Sequence, residues 1–317
     1  MALTLTIDRD AWDAHLVSTL ATHRGCIPVV KGNGYGFGRG RLMTRLLALG
    51  QRSLAVGSVF ELADVPADVV PYVLTPVGRD DAALMPRHAV PTVGSLAHLD
   101  ALTRAGWSGR VVVKLASSMR RYGVAPTDLE ALIDATDGAG CTIDAFGLHL
   151  PLAPSTANRD EVLAWLPHLP ADLALHVSHL DVVDEDAVRA AAAGRAVRQR
   201  IGTRLWHGDR SMLHLGADVV DLRGVRAGDA VGYRATPCPV DGTLVMIAAG
   251  TAQGVVPLPD GRSPFHFARR RLELVEPPHM HTSIAVVPSS EPTPGVGDLV
   301  DVQRPLTQSL VDRVIER

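Results

Sequence analysis

Cys26-Ile27-Pro28-Val29-Val30-Lys31-Gly32-Asn33-Gly34-Tyr35-Gly36-Phe37-Gly38 is the stretch on which the fold turns. Cys26–Val30 is an apolar run, Lys31 closes it, and Gly32, Gly34, Gly36 and Gly38 follow. A short apolar run bounded by glycine reads as a buried strand. The same unit recurs downstream. Ser53–Val56, Val70–Leu74, Val90–Val93, Val111–Lys114, Ala145–Leu150, Leu173–Val177 and Ile201–Trp206 are strand-like runs. Between them, Arg41–Leu49, Leu96–Arg104, Thr127–Ala135, Asp160–Leu166 and Asp184–Arg200 carry helical spacing. Eight such runs with intervening helices predict an α/β fold, a closed (β/α)8 TIM-type barrel over residues 9–212. A doubly wound sheet competes, but uses fewer strands over this length.

The pattern changes after about residue 210. Val219–Asp221, Ala230–Tyr233, Leu244–Ala248, Arg271–Val275 and Ser283–Val287 are short runs separated by Gly and Pro turns. This spacing predicts a C-terminal β domain over 213–317. Residues 1–8, with the strand Leu3–Ile7, precede the first helix (Asp10–Leu20) and are expected to join it.

Composition narrows the function. The chain has 317 residues, 46% hydrophobic and 21% charged, with a net charge of −3. That describes a globular protein and argues against a general nucleic-acid binder. No apolar run approaches the ~20 residues of a membrane span, and the start lacks the basic head and apolar core of a signal peptide. The cysteines Cys26, Cys141 and Cys238 show no metal or disulfide spacing. They suit a reducing cytoplasm.

Among 31 basic residues only Lys31 and Lys114 are lysine. Arginine stays charged in proteins, whereas lysine can lose its proton and form Schiff bases. A barrel places Lys31 at the C-terminal end of its first strand, where such folds do chemistry. Desolvation there lowers a lysine pKa and favours the nucleophilic amine. A snorkelling strand-end lysine beside a flexible turn is the plainer alternative. The segment is not a P-loop, because the lysine precedes the glycines. Lys114 likewise ends Val111-Val112-Val113-Lys114. Either it serves chemistry or it belongs, with Arg121, to a structural charged patch.

Val30, Lys31, Asn33, Tyr35, Gly36 and Gly38 together resemble the pyridoxal-phosphate lysine segment of alanine racemases and other fold-type III enzymes. Lys114, Met119, Arg121 and Gly123 are similar to a second racemase phrase, and Arg200-Ile201-Gly202-Thr203-Arg204-Leu205-Trp206 to a third. The resemblance implies that Lys31 is the Schiff-base lysine and one catalytic base. It implies that Tyr35 helps hold the cofactor phosphate. Arg121 would clamp the substrate carboxylate, as a bidentate cation can. Lys114, a lysine carbamylated in many racemases, would support it. Arg200 would face the pyridine nitrogen, keep it unprotonated and weaken the electron sink. The amides of Gly202 and Thr203 could bind phosphate, and Ser178 is a possible counterpart of a phosphate-binding serine.

The phrase Gly228-Asp229-Ala230-Val231-Gly232-Tyr233 fixes the register of the β domain against the family. In that register Thr251 stands where the family has a catalytic tyrosine. A threonine hydroxyl is a poor general base. His281 and Thr282 replace a methionine-aspartate phrase near the substrate, and Pro151 replaces a cofactor-supporting histidine. The resemblance therefore implies a divergent member: a pyridoxal-phosphate-dependent, racemase-like isomerase acting on a small amino acid. Its second base would be Thr251, His281, a water or nothing. The alternative is a cofactor-binding homologue without racemase activity, doing one-base chemistry or serving a binding or regulatory role. No metal is expected. A head-to-tail homodimer is, because in the family a partner's β domain completes the site.

Overall fold

A computed structural model describes residues 2–152 and 156–317. The chain divides into two compact units. One spans His15–Gly32 and Arg39–Trp206; the other spans Met1–Ala14, Asn33–Gly38 and His207–Arg317, Met1 itself being outside the described residues.

In chain order the strands begin with β1 (Leu3–Ile7), which belongs to the second unit. The barrel strands are β2 (Ile27–Pro28), β3 (Ser53–Val56), β4 (Val70–Val73), β5 (Val90–Val93), β6 (Arg110–Lys114), β7 (Thr142–Gly147), β8 (Ala174–Val177) and β9 (Val197–Ile201). All neighbouring pairs are parallel. The ring closes where Val29 bridges Ala55 and the Val30 N–H donates to the Ala55 carbonyl at 2.7 Å. On the other side the Val29 N–H donates to the Ile201 carbonyl at 2.8 Å. The chain is thus a (β/α)8 barrel with a separate antiparallel β domain.

Helices follow the strands at Arg39–Ala48, Leu96–Arg104, Leu129–Gly138, Thr156–Trp165 and Val182–Ala191. Ser95 and Asp181 cap two of them, accepting the N–H groups of His98 and Asp184, which satisfies otherwise orphaned donors. Covered outside by helices and filled inside by side chains, the strands bury both faces. Leu54, Val56, Val73, Val113, Phe146 and Leu175 are all fully buried, and each such side chain contributes roughly 1.5–3 kcal/mol.

The last barrel strand corrects the sequence expectation. Val197–Ile201 is the strand, and Thr203–His207 is a short helix. The helix expected over Asp184–Arg200 ends at Ala191. Ala193 and Gly194 adopt positive φ of 51° and 86°, a left-handed stop that glycine tolerates best.

In the second unit β10 (Leu213–Val225) is the spine. It pairs antiparallel with β1, with Gly242–Ile247 and with Leu299–Val302. A register shift between Val219 and Asp221 lets its two halves pair differently. Arg313–Glu316 runs parallel to β1. Val231, Cys238, Leu244, Val275 and Val286 form a small core there. Among the described residues no α-helix follows His207, and no helix is long and apolar enough to cross a membrane. All three cysteines are free, buried thiols.

Candidate active site

The strand ends of the barrel gather the charged residues. Lys114 is the last residue of β6, and its register partner is Gly147, the last of β7. Lys114 is only 3% exposed. Its Nζ donates to the carbonyls of Leu115 (3.3 Å) and Gly147 (3.2 Å) and has no carboxylate partner among the described residues. Burial, with Arg200 and Arg121 adding positive potential, lowers its pKa to about 6. At neutral pH it is mainly an amine.

Glycine is favoured at 147 by close packing at this level. A Cβ there would meet Val112 Cγ1 at 3.0 Å, with Arg200 Nη1 at 3.8 Å and Lys114 Cδ at 3.9 Å. Arg200, on β9, donates from Nη2 to the Leu148 carbonyl at 2.7 Å. Its Nε is buried without a hydrogen-bond partner among the described residues. Burial lowers even this guanidinium to about 10.

Lys31 follows β2 and is open to solvent. Desolvation is therefore partial. It lowers the Lys31 pKa together with Arg121 and Arg200, while Glu61 opposes them. Glu61 accepts the N–H of Gly32 at 2.9 Å and of Gly57 at 2.7 Å, so it braces the turn that follows Lys31. Arg121 lies on an excursion after β6 that the Lys114 carbonyl closes by accepting the Val124 N–H at 2.8 Å. Gly123 is required there: its φ is +147°, and a Cβ would fall 2.5 Å from Leu115. Glu161 holds the loop by accepting Ser118 N–H (2.8 Å) and Oγ–H (2.6 Å). The Arg121 guanidinium lies over the Tyr122 ring at 4.8 Å.

Lys31, Lys114, Arg121 and Arg200 thus share one region of positive potential, and the nearby carboxylates are spent on backbone and hydroxyl donors. Such a mouth suits an anionic ligand. Ser178, directly after β8, is 2% exposed and sits 2.7 Å from His149 Nδ1. Gly202 and Thr203 begin the helix after β9, the Gly202 carbonyl accepting Leu205 and Trp206 N–H groups. His176 is buried edge-on against Tyr72 at 4.9 Å. His179 takes a positive φ of 59° and lies edge-on to His149 at 5.0 Å.

The remaining sequence-derived residues belong to the second unit. Tyr35 is buried with φ 56°; its carbonyl lies 2.8 Å from His207 Nε2, and its ring packs edge-on to that imidazole. Thr251 is exposed at the start of a 3-10 turn. Its N–H donates to the His279 carbonyl at 2.8 Å, and Ala252 N–H to Met280 at 2.9 Å. Gly250 permits this approach, since a Cβ there would fall 2.1 Å from the His279 oxygen. The segment holding Thr251 is therefore laid against the turn holding His281 and Thr282, where the Thr282 carbonyl accepts His279 N–H at 2.9 Å.

Residues 7–217 match the family model for the alanine racemase N-terminal domain. The chain belongs to the alanine racemase family. That family consists of isomerases. The alanine racemase of Mycolicibacterium vanbaalenii is 32% identical over 285 residues, covering 80% of this chain and 72% of that protein. The alanine racemase of Rhodospirillum rubrum is 30% identical over 278 residues, covering 79% and 73%. Among solved structures, the alanine racemase of Bartonella henselae, with covalently bound pyridoxal phosphate, superposes with a TM-score of 0.78 at 19% identity, covering 99% of this chain and 100% of that one. The histidine racemase of Leuconostoc mesenteroides subsp. sake gives 0.72 at 18% identity, covering 100% and 97%. At these identities the structural matches establish the racemase fold.

Sequence reasoning missed Glu61, Glu161 and His149. The two carboxylates brace loops and sit in no motif. His149 lies two residues past Gly147, and the pairing of β7 with β8, Gly147 opposite His176, brings it to Ser178.

Proposed function

We propose that the protein is a pyridoxal-phosphate-dependent, racemase-like isomerase of a small amino acid. The single observation that carries this reading is the cluster of Lys31, Lys114, Arg121 and Arg200 at the barrel's strand ends, where the nearby Glu61 and Glu161 are engaged by backbone and hydroxyl donors. The residues fit the cofactor. A side chain at Gly147 would crowd Val112 beside Arg200 and Lys114, Arg200 Nε is a buried donor with no partner among the described residues, and both lysines are biased towards the amine.

In this reading Lys31 is the lysine that would hold pyridoxal phosphate and the group that moves a proton on one face. Arg200 would face the ring nitrogen. The amides of Gly202 and Thr203 are the barrel groups proposed at the phosphate, with Tyr35 added by family resemblance; Ser178, whose Oγ lies 2.7 Å from His149 Nδ1, is engaged by that imidazole. The cofactor supplies an electron sink that acidifies the α-hydrogen of a bound amino acid. Arg121 orients the substrate carboxylate with its guanidinium, and Lys114 Nζ, held by two carbonyls, backs this arrangement. Thr251, with His281 and Thr282 beside it, is the proposed group on the opposite face. A head-to-tail homodimer belongs to the same proposal, and a strict monomer in solution would count against it.

A second reading rests on Thr251, which lacks a phenol. It is a cofactor-binding homologue limited to one-base chemistry through Lys31 or to a binding role. Exchange of the α-hydrogen of D- and L-alanine in heavy water separates the two. Exchange of both enantiomers supports the racemase reading, and exchange of one supports the second. A protein that binds the cofactor yet exchanges neither, across a panel of small amino acids, refutes the racemase reading.

A further inference from the structure

His149 has been given no role, and it pairs with Ser178. Gly147 ends β7 and Val177 ends β8, so both residues stand just past strand ends in the barrel unit. Ser178 Oγ lies 2.7 Å from His149 Nδ1 and accepts the Leu150 N–H at 3.3 Å. These contacts settle the direction of the shared proton. Ser178 is 2% exposed, and Nδ1 is the acceptor within reach of its hydroxyl. If Nδ1 carried the proton, the hydroxyl hydrogen would be left without an acceptor in a buried place, which is a costly arrangement. Ser178 therefore donates to Nδ1, and the neutral imidazole carries its proton on Nε2.

Among the described residues Nε2 has no hydrogen-bond partner, and it is not sealed within the protein. Around the ring stand Arg200, His179, Lys114 and Arg121, and burial with this company pushes its pKa far down. His149 is then an uncharged donor in a cationic neighbourhood.

We propose that His149 uses its Nε2–H to hydrogen-bond an anionic oxygen of the bound ligand, and that Ser178 is its positioning residue instead of a phosphate contact. This deepens the reading of the barrel mouth as an anion site and rests on it. The oxygen belongs either to the substrate carboxylate or to the cofactor, and the test separates them.

The experiment is histidine 15N NMR on the full chain, first alone and then titrated separately with acetate, inorganic phosphate and pyridoxal phosphate. The ligand-free protein at neutral pH is expected to show the Nε2-protonated neutral tautomer, and Ser178→Ala is expected to lose that preference. A shift of the Nε2 proton with acetate assigns the carboxylate. A shift with pyridoxal phosphate or phosphate assigns the cofactor. His149→Phe should weaken binding of the same anion about tenfold, and His149→Gln, which keeps a donor, should restore most of it. An imidazolium, an Nδ1-protonated ring, or an Nε2 resonance unmoved by all three anions overturns the proposal. If the tautomer and the acetate shift are found while the protein fails to take up pyridoxal phosphate, the cofactor reading fails and His149 keeps its role.

Discussion

Replacing Lys114 with methionine should stabilise the protein at neutral pH and remove a pH dependence that this lysine imposes. Lys114 is 3% exposed, and its pKa falls from 10.5 to about 6. Between those values the unfolded chain binds the proton and the native chain does not, so stability rises with pH across the window at ~1.4 kcal/mol per pH unit. At pH 7, which is about 3.5 below 10.5, the native state has forfeited ~5 kcal/mol relative to its value at high pH. Methionine fills a similar volume and does not titrate. Its substitution gives up two hydrogen bonds, to Leu115 and Gly147, at ~1 kcal/mol each. The variant should therefore gain ~3 kcal/mol at pH 7, and the two stability curves should cross near pH ~9. Guanidinium unfolding of both proteins at intervals from pH 6.5 to 9.5 measures this. Parallel curves would show that Lys114 stays charged in the native state, and the burial argument would fail.

Other expectations follow from the same geometry. Gly147→Ala should cost roughly 1–3 kcal/mol by overpacking against Val112 Cγ1 and should weaken cofactor uptake, read by unfolding and by equilibrium dialysis. His23, Glu185 and Gln199 form a buried network in which Glu185 meets His23 Nδ1 at 2.5 Å and accepts Gln199 Nε2–H at 2.7 Å. His23→Leu should destabilise by ~3 kcal/mol in denaturant melts, because a buried carboxylate loses a partner. Thr251→Tyr should raise α-hydrogen exchange of the slower alanine enantiomer at least ~10-fold, since a placed general base contributes ~10²–10⁴-fold. An unchanged rate would separate Thr251 from the reaction.

The barrel was legible because β3 to β6 are apolar runs buried on both faces. The last strand was not. Val197-Arg198-Gln199-Arg200-Ile201 alternates, but one face carries Arg198 and Arg200, and on the other Gln199 is buried against the helices, made tolerable by Glu185, His23 and the Leu180 N–H. A polar strand read as the tail of a helix, while apolar Ile201–Trp206 read as a strand although a helix starts at Thr203. The stop at Ala193-Gly194 was the available signal. In the site, Lys31 and Lys114 stood out as the two lysines in the chain. Arg121 and Arg200 followed from phrases around them. Glu61, Glu161 and the His149–Ser178 pair depend on contacts between segments 29 to 43 residues apart, which spacing along the chain does not encode.

The central claim is that Lys31 holds pyridoxal phosphate. The direct measurement is the visible absorbance of the purified protein after incubation with pyridoxal phosphate and removal of excess, beside Lys31→Ala treated identically. The wild-type protein should turn yellow and Lys31→Ala should remain colourless while retaining the wild-type fold by circular dichroism. A colourless wild-type protein, or an equally yellow Lys31→Ala protein, would contradict the account.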